Sequence, residues 1–230
     1  MSELEPKNPN ETYDQEARYI VPLDINKDAN TEVAIDNSEL SEWNSRRLLF
    51  VTGPHASGKS AVVHSGFNSS EHAIHDLGPI IRESHRKAYS GLSLGRWIMG
   101  KEAIYGDNFT DELLVNEIQP SYNSAPTNGL ILVGSRSLKG IEFILDAIEP
   151  SDHKIVYIDA HYETLYDRYK SRENLSNLSH EDFRKILDDE VAMGLHGIKN
   201  HAHHTILNNS TLDYAKTKLV NIVNNWKQSD

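Results

Sequence analysis

The segment Gly53-Pro54-His55-Ala56-Ser57-Gly58-Lys59-Ser60 constrains this chain more than any other part of it. It matches the spacing G-x-x-x-x-G-K-[ST] in full, with the apolar run Leu48–Thr52 before it and a helical pattern opening at Ser60. Two glycines at that spacing let the backbone wrap until successive N–H groups point inward, and the following helix adds the positive end of its dipole. Such a concavity suits the oxygens of a phosphate chain. Strand, loop and helix in that order also point to an α/β layout, because parallel strands need a long crossover, usually made by a helix.

The chain beyond the loop keeps that alternation. Strand-like runs stand at 73–76, 129–134, 154–159 and 204–208, and helical patterns fill the gaps at 111–118, 138–148, 162–171 and 180–193. A five-stranded parallel sheet covered on both faces follows, with ligands at the carboxyl ends of its strands.

Composition narrows the function classes. The 230 residues, 38% hydrophobic and 25% charged, suffice for one substantial α/β domain with a core. No apolar run approaches the roughly 20 residues that span a bilayer, so no membrane association is expected. The polar, acidic start at 1–17 does not read as a signal peptide, and the absence of cysteine excludes disulfides and thiolate metal sites. A cytoplasmic placement is the simplest expectation. The net charge of -11 argues against general nucleic-acid binding. Residues 1–44 alone hold 11 Asp and Glu against 3 Lys and Arg, which accounts for most of that charge. They read as an acidic extension, a disordered tail over 1–16 and a possible hairpin over 17–40, with docking of a protein partner or self-association as its expected use. Residues 45–230 form the main domain.

The loop assigns roles by chemistry. Gly53, Pro54, His55, Ala56, Ser57, Gly58, Lys59, Ser60 and the next residue, Ala61, are expected to hold ATP, with Lys59 reaching the outer phosphates and Ser60 holding Mg²⁺. No N-K-x-D follows, as a guanine-specific switch needs, no L-S-G-G-Q marks a transporter ATPase, and no strand ends in a paired Asp-Glu. A short chain with placed arginines suits a small-molecule kinase.

From about Arg47 to Val220 the sequence resembles the adenylate-kinase-like P-loop kinases, which include nucleoside monophosphate kinases and dephospho-CoA kinases. It is particularly similar to the dephospho-CoA-kinase-related proteins of archaea and their bacterial relatives. The likeness is carried by the loop and by four further segments: Leu77–Glu83, Val133–Ser137 with Gly140–Phe143, Asp167–Arg172, and Ile206–Leu212. It implies a three-layer α/β/α sandwich with strand order 2-3-1-4-5, a lid and an acceptor-binding helical region between Gly78 and Asn128. Arg168 and Arg172, four apart and so on one helix face, would belong to the lid, with 174–179 as its tip. Arg82 and Arg136 would bind the acceptor with Arg96 assisting, Arg136 also serving catalysis, because guanidinium matches phosphate in two parallel hydrogen bonds. Asn208 and Asn209 would read the base.

One departure matters. The family usually carries Asp where this chain has Val133, so the metal needs another oxygen. Asp76, ending the second strand, is the first substitute as metal ligand and as base for an acceptor hydroxyl, and Asp159 the second. Three readings stay open: a kinase of a nucleotide-like monophosphate, a kinase of a hydroxyl on a metabolite or nucleoside, and an ATP-binding regulatory protein that transfers nothing. The cluster His201, His203 and His204 lacks the converging ligand set of a zinc site and reads as hydrogen-bonded or solvated histidine.

Overall fold

The computed structural model describes residues 47–88, 91–124 and 129–227. The extension at 1–44, with its expected hairpin, lies outside the described residues.

Five strands form one all-parallel sheet: β1 (Arg47–Thr52), β2 (Ala73–Asp76), β3 (Leu130–Val133), β4 (Asp152–Asp159) and β5 (His204–Leu207). Their order is β2-β3-β1-β4-β5, as the resemblance implies. Period-two alternation decides which residues go where. Leu48 and Phe50 of β1 point to one face with Leu130 and Leu132, while Leu49 and Val51 point to the other with Ile131 and Val133. Both sets are buried, which is why the strands read as continuous apolar runs.

The first face is covered by α2 (Leu77–Lys87), α4 (Phe109–Asn123), α5 (Leu138–Ile148) and α8 (Leu195–His201). The second is covered by α1 (Lys59–Gly66) and α9 (Leu212–Lys227), which also pack on each other. Helix α3 (Leu94–Tyr105) adds to the first face through Trp97, stacked edge-on to Phe109. Helices α6 (Tyr162–Arg172) and α7 (His180–Ala192) build a third, separate apolar cluster around Tyr166 and Phe183. The three layers therefore carry an outlying helical pair where the lid is expected.

Differences from the sequence reading sit at element ends. Strand β4 starts two residues early, because Asp152 and His153 pair with Arg47 and Leu48. Helix α4 runs through Pro120, where the pattern predicts an end at 118. Burial of Tyr122 draws the last turn inward, and the Ser124 hydroxyl and amide both donate to the Pro120 carbonyl. Helices α8 and α9 come in addition to the expected patterns. Among the described residues, no helix is long and apolar enough to cross a membrane.

Candidate active site

The loop between β1 and α1 takes a conformation that its sequence permits and few others would. Gly53 and Gly58 hold φ of 141° and 91°, and Ala56 stands at 60°. A Cβ on Gly53 would lie 2.0 Å from the Ile158 carbonyl oxygen, and one on Gly58 2.6 Å from Asn208 Nδ2. The glycines are therefore required by close approach as well as by handedness.

Neighbouring strand ends fix the loop in place. Thr52 Oγ1 donates to the Ser135 carbonyl at 2.7 Å, binding the end of β1 to the turn after β3. Asn208, 3% exposed at the end of β5, donates Nδ2 to the Ser57 carbonyl at 2.8 Å. Arg168 Nη1 reaches across from α6 to the Asn208 carbonyl at 2.9 Å. Asn209 Oδ1 accepts from the His161 amide before α6 at 2.6 Å. The two asparagines expected to read a base thus serve, in this state, as struts between β5, the loop and α6.

Inside the loop, Lys59 Nζ donates to the carbonyls of Gly53 and Pro54, each at 2.8 Å. Burial first, then Arg136 and Arg172, pulls its pKa down to about 7, while Asp76 acts the other way. The ammonium is folded against its own loop and short of anionic partners. The Ser57 hydroxyl is buried with no partner among the described residues, a donor left for a ligand oxygen. These features fit a phosphate chain.

Asp76 lies where β2 ends and α2 begins. Its Oδ1 accepts from Ser60 Oγ at 2.6 Å, and its Oδ2 stands 2.6 Å from His64 Nε2 on α1. Two hard oxygens at the mouth of the loop suit Mg²⁺, which keeps several waters and takes one or two protein oxygens beside substrate phosphates. Among the described residues, no three His, Cys, Asp or Glu gather closely enough to hold a metal by themselves. Asp159, the second candidate, is engaged elsewhere, accepting from Lys199 Nζ at 2.8 Å and from the Ala160 amide.

The arginines divide. Arg82 and Arg172 lie close enough to Arg136 to lower its pKa, after burial, which is the larger cause. Arg172 stacks on Tyr169 and pairs with Glu173. Arg96 is exposed in the first turn of α3 and takes no part in that group. The segment 174–179 forms exposed turns between α6 and α7, at the expected tip. Of the clustered histidines, His203 accepts the Ile155 amide at 3.0 Å, and His201 Nδ1 lies 2.9 Å from the Gly197 carbonyl.

Sequence reasoning missed Glu190. This residue of α7, 1% exposed, accepts the backbone amide of His55 at 2.8 Å, stands 2.6 Å from His55 Nδ1 and is ion-paired with Arg136. A signal was available. Glu190 falls seven residues after Phe183, hence on the same helix face as the one apolar residue that α7 buries.

No family model matches the sequence, and no curated protein does. Solved structures match by fold. A shikimate kinase from Bacteroides thetaiotaomicron superposes with a TM-score of 0.52 at 15% identity, covering 77% of this chain and 98% of that one. A sugar kinase from Janibacter sp. HTCC2649 gives 0.51 at 11% identity, covering 78% and 95%. The chain has the three-layer α/β/α fold of these P-loop kinases.

Proposed function

We propose that the chain is an ATP-Mg²⁺-dependent phosphotransferase acting on a small molecule. The observation that carries this reading is the 2.6 Å contact between Ser60 Oγ and Asp76 Oδ1 beside the phosphate loop, an oxygen pair where the metal is needed despite Val133. When bound, Mg²⁺ would supply charge neutralisation at the outer phosphates, held by Ser60 and Asp76. The chain's own residues do the rest. Backbone amides of 53–61 hold the phosphates. Lys59, freed from the Gly53 and Pro54 carbonyls, follows the outer oxygens, and Arg136 and Arg172 stabilise charge spread over the transferred group. The α6–α7 pair, with Arg168 and Arg172, excludes water. Asn208 and Asn209 border the base.

For the acceptor, Arg82 and Arg136 favour an anionic small molecule, a nucleotide-like monophosphate first. A second reading is a hydroxyl acceptor, and it draws support from Asp76, a carboxylate at the strand end able to take the hydroxyl proton. The neighbouring folds are named for shikimate and sugar kinases, so both compounds belong in the test.

ATP consumption should be measured with Mg²⁺ against nucleoside monophosphates, dephospho-CoA, nucleosides, sugars and shikimate, with Lys59→Ala as blank. Turnover with one acceptor class, lowered about 10²-fold or more in the blank, supports the kinase. Asp76→Asn weakens the metal site with either acceptor and lowers turnover further for a hydroxyl, which also needs the base, than for a phosphate, which does not. ATP binding with no turnover across the panel would sink the kinase in favour of a regulatory protein. Absence of ATP binding would sink both.

A further inference from the structure

Helix α7 buries two side chains, and they face different partners. Phe183 packs within the α6–α7 pair, against Tyr162 and Tyr169. Glu190 reaches out of the pair into the phosphate loop. Its carboxylate takes the His55 amide, lies against the His55 ring and pairs with Arg136. An inward amide of the loop and a neighbouring guanidinium are the donors that a phosphate oxygen would use.

The location points to the outer phosphate. Lys59, the side chain that serves the β- and γ-phosphates, lies folded on Gly53 and Pro54, immediately before His55. Among the described residues, the hydrogen bonds and ion pairs of Glu190 go to His55 and Arg136 and none to the helix end of the loop, Gly58 to Ser60. A buried carboxylate with these partners is stable only while they remain its own. A phosphoryl group arriving there brings more negative charge and three oxygens, so it competes for the same amide and the same guanidinium.

We propose that Glu190 is an anionic latch: its carboxylate holds the α6–α7 pair down on the empty phosphate loop in the position of a γ-phosphate oxygen, and a nucleoside triphosphate releases it by taking over the His55 amide and Arg136. The inference rests on the proposed ATP site. It gives a lid that is latched when empty, opens to admit the triphosphate and is then held over it by Arg168 and Arg172, with Gly194, at φ 108° two residues after the end of α7, as the joint about which the helix turns. A diphosphate, which does not reach the outer half of the loop, leaves the latch engaged.

Calorimetry should compare ATP-Mg²⁺ and ADP-Mg²⁺ binding to the full chain and to Glu190→Gln, which keeps the side-chain volume and removes the charge. Relief of the competition tightens ATP binding by about tenfold or more, while ADP changes less than twofold. Equal tightening or equal weakening of both nucleotides, or unchanged ATP affinity, overturns the latch. Absence of ATP binding by the wild-type chain overturns the underlying site instead. Hydrogen exchange on the wild-type chain gives a second arm that needs no variant to fold. Amides of 187–192 exchange faster with ATP-Mg²⁺ than with ADP-Mg²⁺ if the latch releases. Equal or slower exchange with ATP overturns it.

Discussion

The two sides of the cleft are built differently. On the proposed donor side, the loop over 53–60 is held by backbone geometry and by ties from the ends of β3 and β5 and from α6, with Ser57 buried and Ser60 open to solvent. On the proposed acceptor side, α3 offers Met99, Ile104 and Tyr105 to solvent, and Gly91, Gly95 and Gly100 have nothing within 4 Å of an added Cβ. A site that must fit one invariant group, a phosphate chain, can be made of backbone and fixed once. A site that chooses among small molecules is made of side chains on helices with room to change.

That contrast is open to attack by substitution. The largest effect is expected at Gly53→Ala, where the new Cβ meets the Ile158 carbonyl in a backbone region that L residues avoid. A loss of about 3 kcal/mol in urea unfolding is expected, and a loss near zero would mean that the donor side is as loose as the other.

Next comes proton linkage at Lys59. Its pKa of about 7 in the empty protein lies below the ordinary lysine value because burial and the arginines oppose its charge. Triphosphate binding raises that pKa, so binding takes up a proton above pH 7, and ATP affinity falls by up to about tenfold per pH unit there. Lys59→Arg, whose charge does not titrate, flattens the profile. An unchanged slope would sink the assignment. The same shift makes the unfolded chain the better proton binder between about 7 and the ordinary value. Lys59 therefore adds stability to the empty protein as pH rises through that window.

Asn208→Ala is expected to cost about 1–2 kcal/mol, because it strips the buried Ser57 carbonyl of its donor. ATP affinity should fall with it, since the loop loses its strut to β5. The smallest effect lies on the acceptor side, where Gly100→Ala in the exposed middle of α3 should stabilise by about 0.5–1 kcal/mol and leave ATP affinity alone. Destabilisation there would reveal a packed acceptor wall and break the contrast.

How much could be read from the sequence follows the same division. The loop and the sheet were legible because each depends on residues near in sequence: glycine spacing, apolar runs, a helix start. Strand order came through resemblance, since nothing in β1 itself says that it lies between β3 and β4. Asp76 was legible as a strand-end acid, and its bond to Ser60 supports that reading. Glu190 was missed, because it ends the acidic run Asp188-Asp189-Glu190 and only its seven-residue spacing from Phe183 sets it apart from its two neighbours. Asn208 was singled out by likeness as a base reader, but its bond to Ser57 depends on a partner 151 residues away.

The central position of β1 has a consequence for synthesis. The loop's sequence is complete at Ser60, yet its walls are made later: β3 supplies the Ser135 carbonyl, β5 brings Asn208, and α9 closes over α1. A ribosome releases these parts in order, so the phosphate-loop motif emerges before the segments that frame it. The frame around the loop is therefore whole only once the last described strand and helix are in place, and under the proposed function nucleotide binding would follow that step.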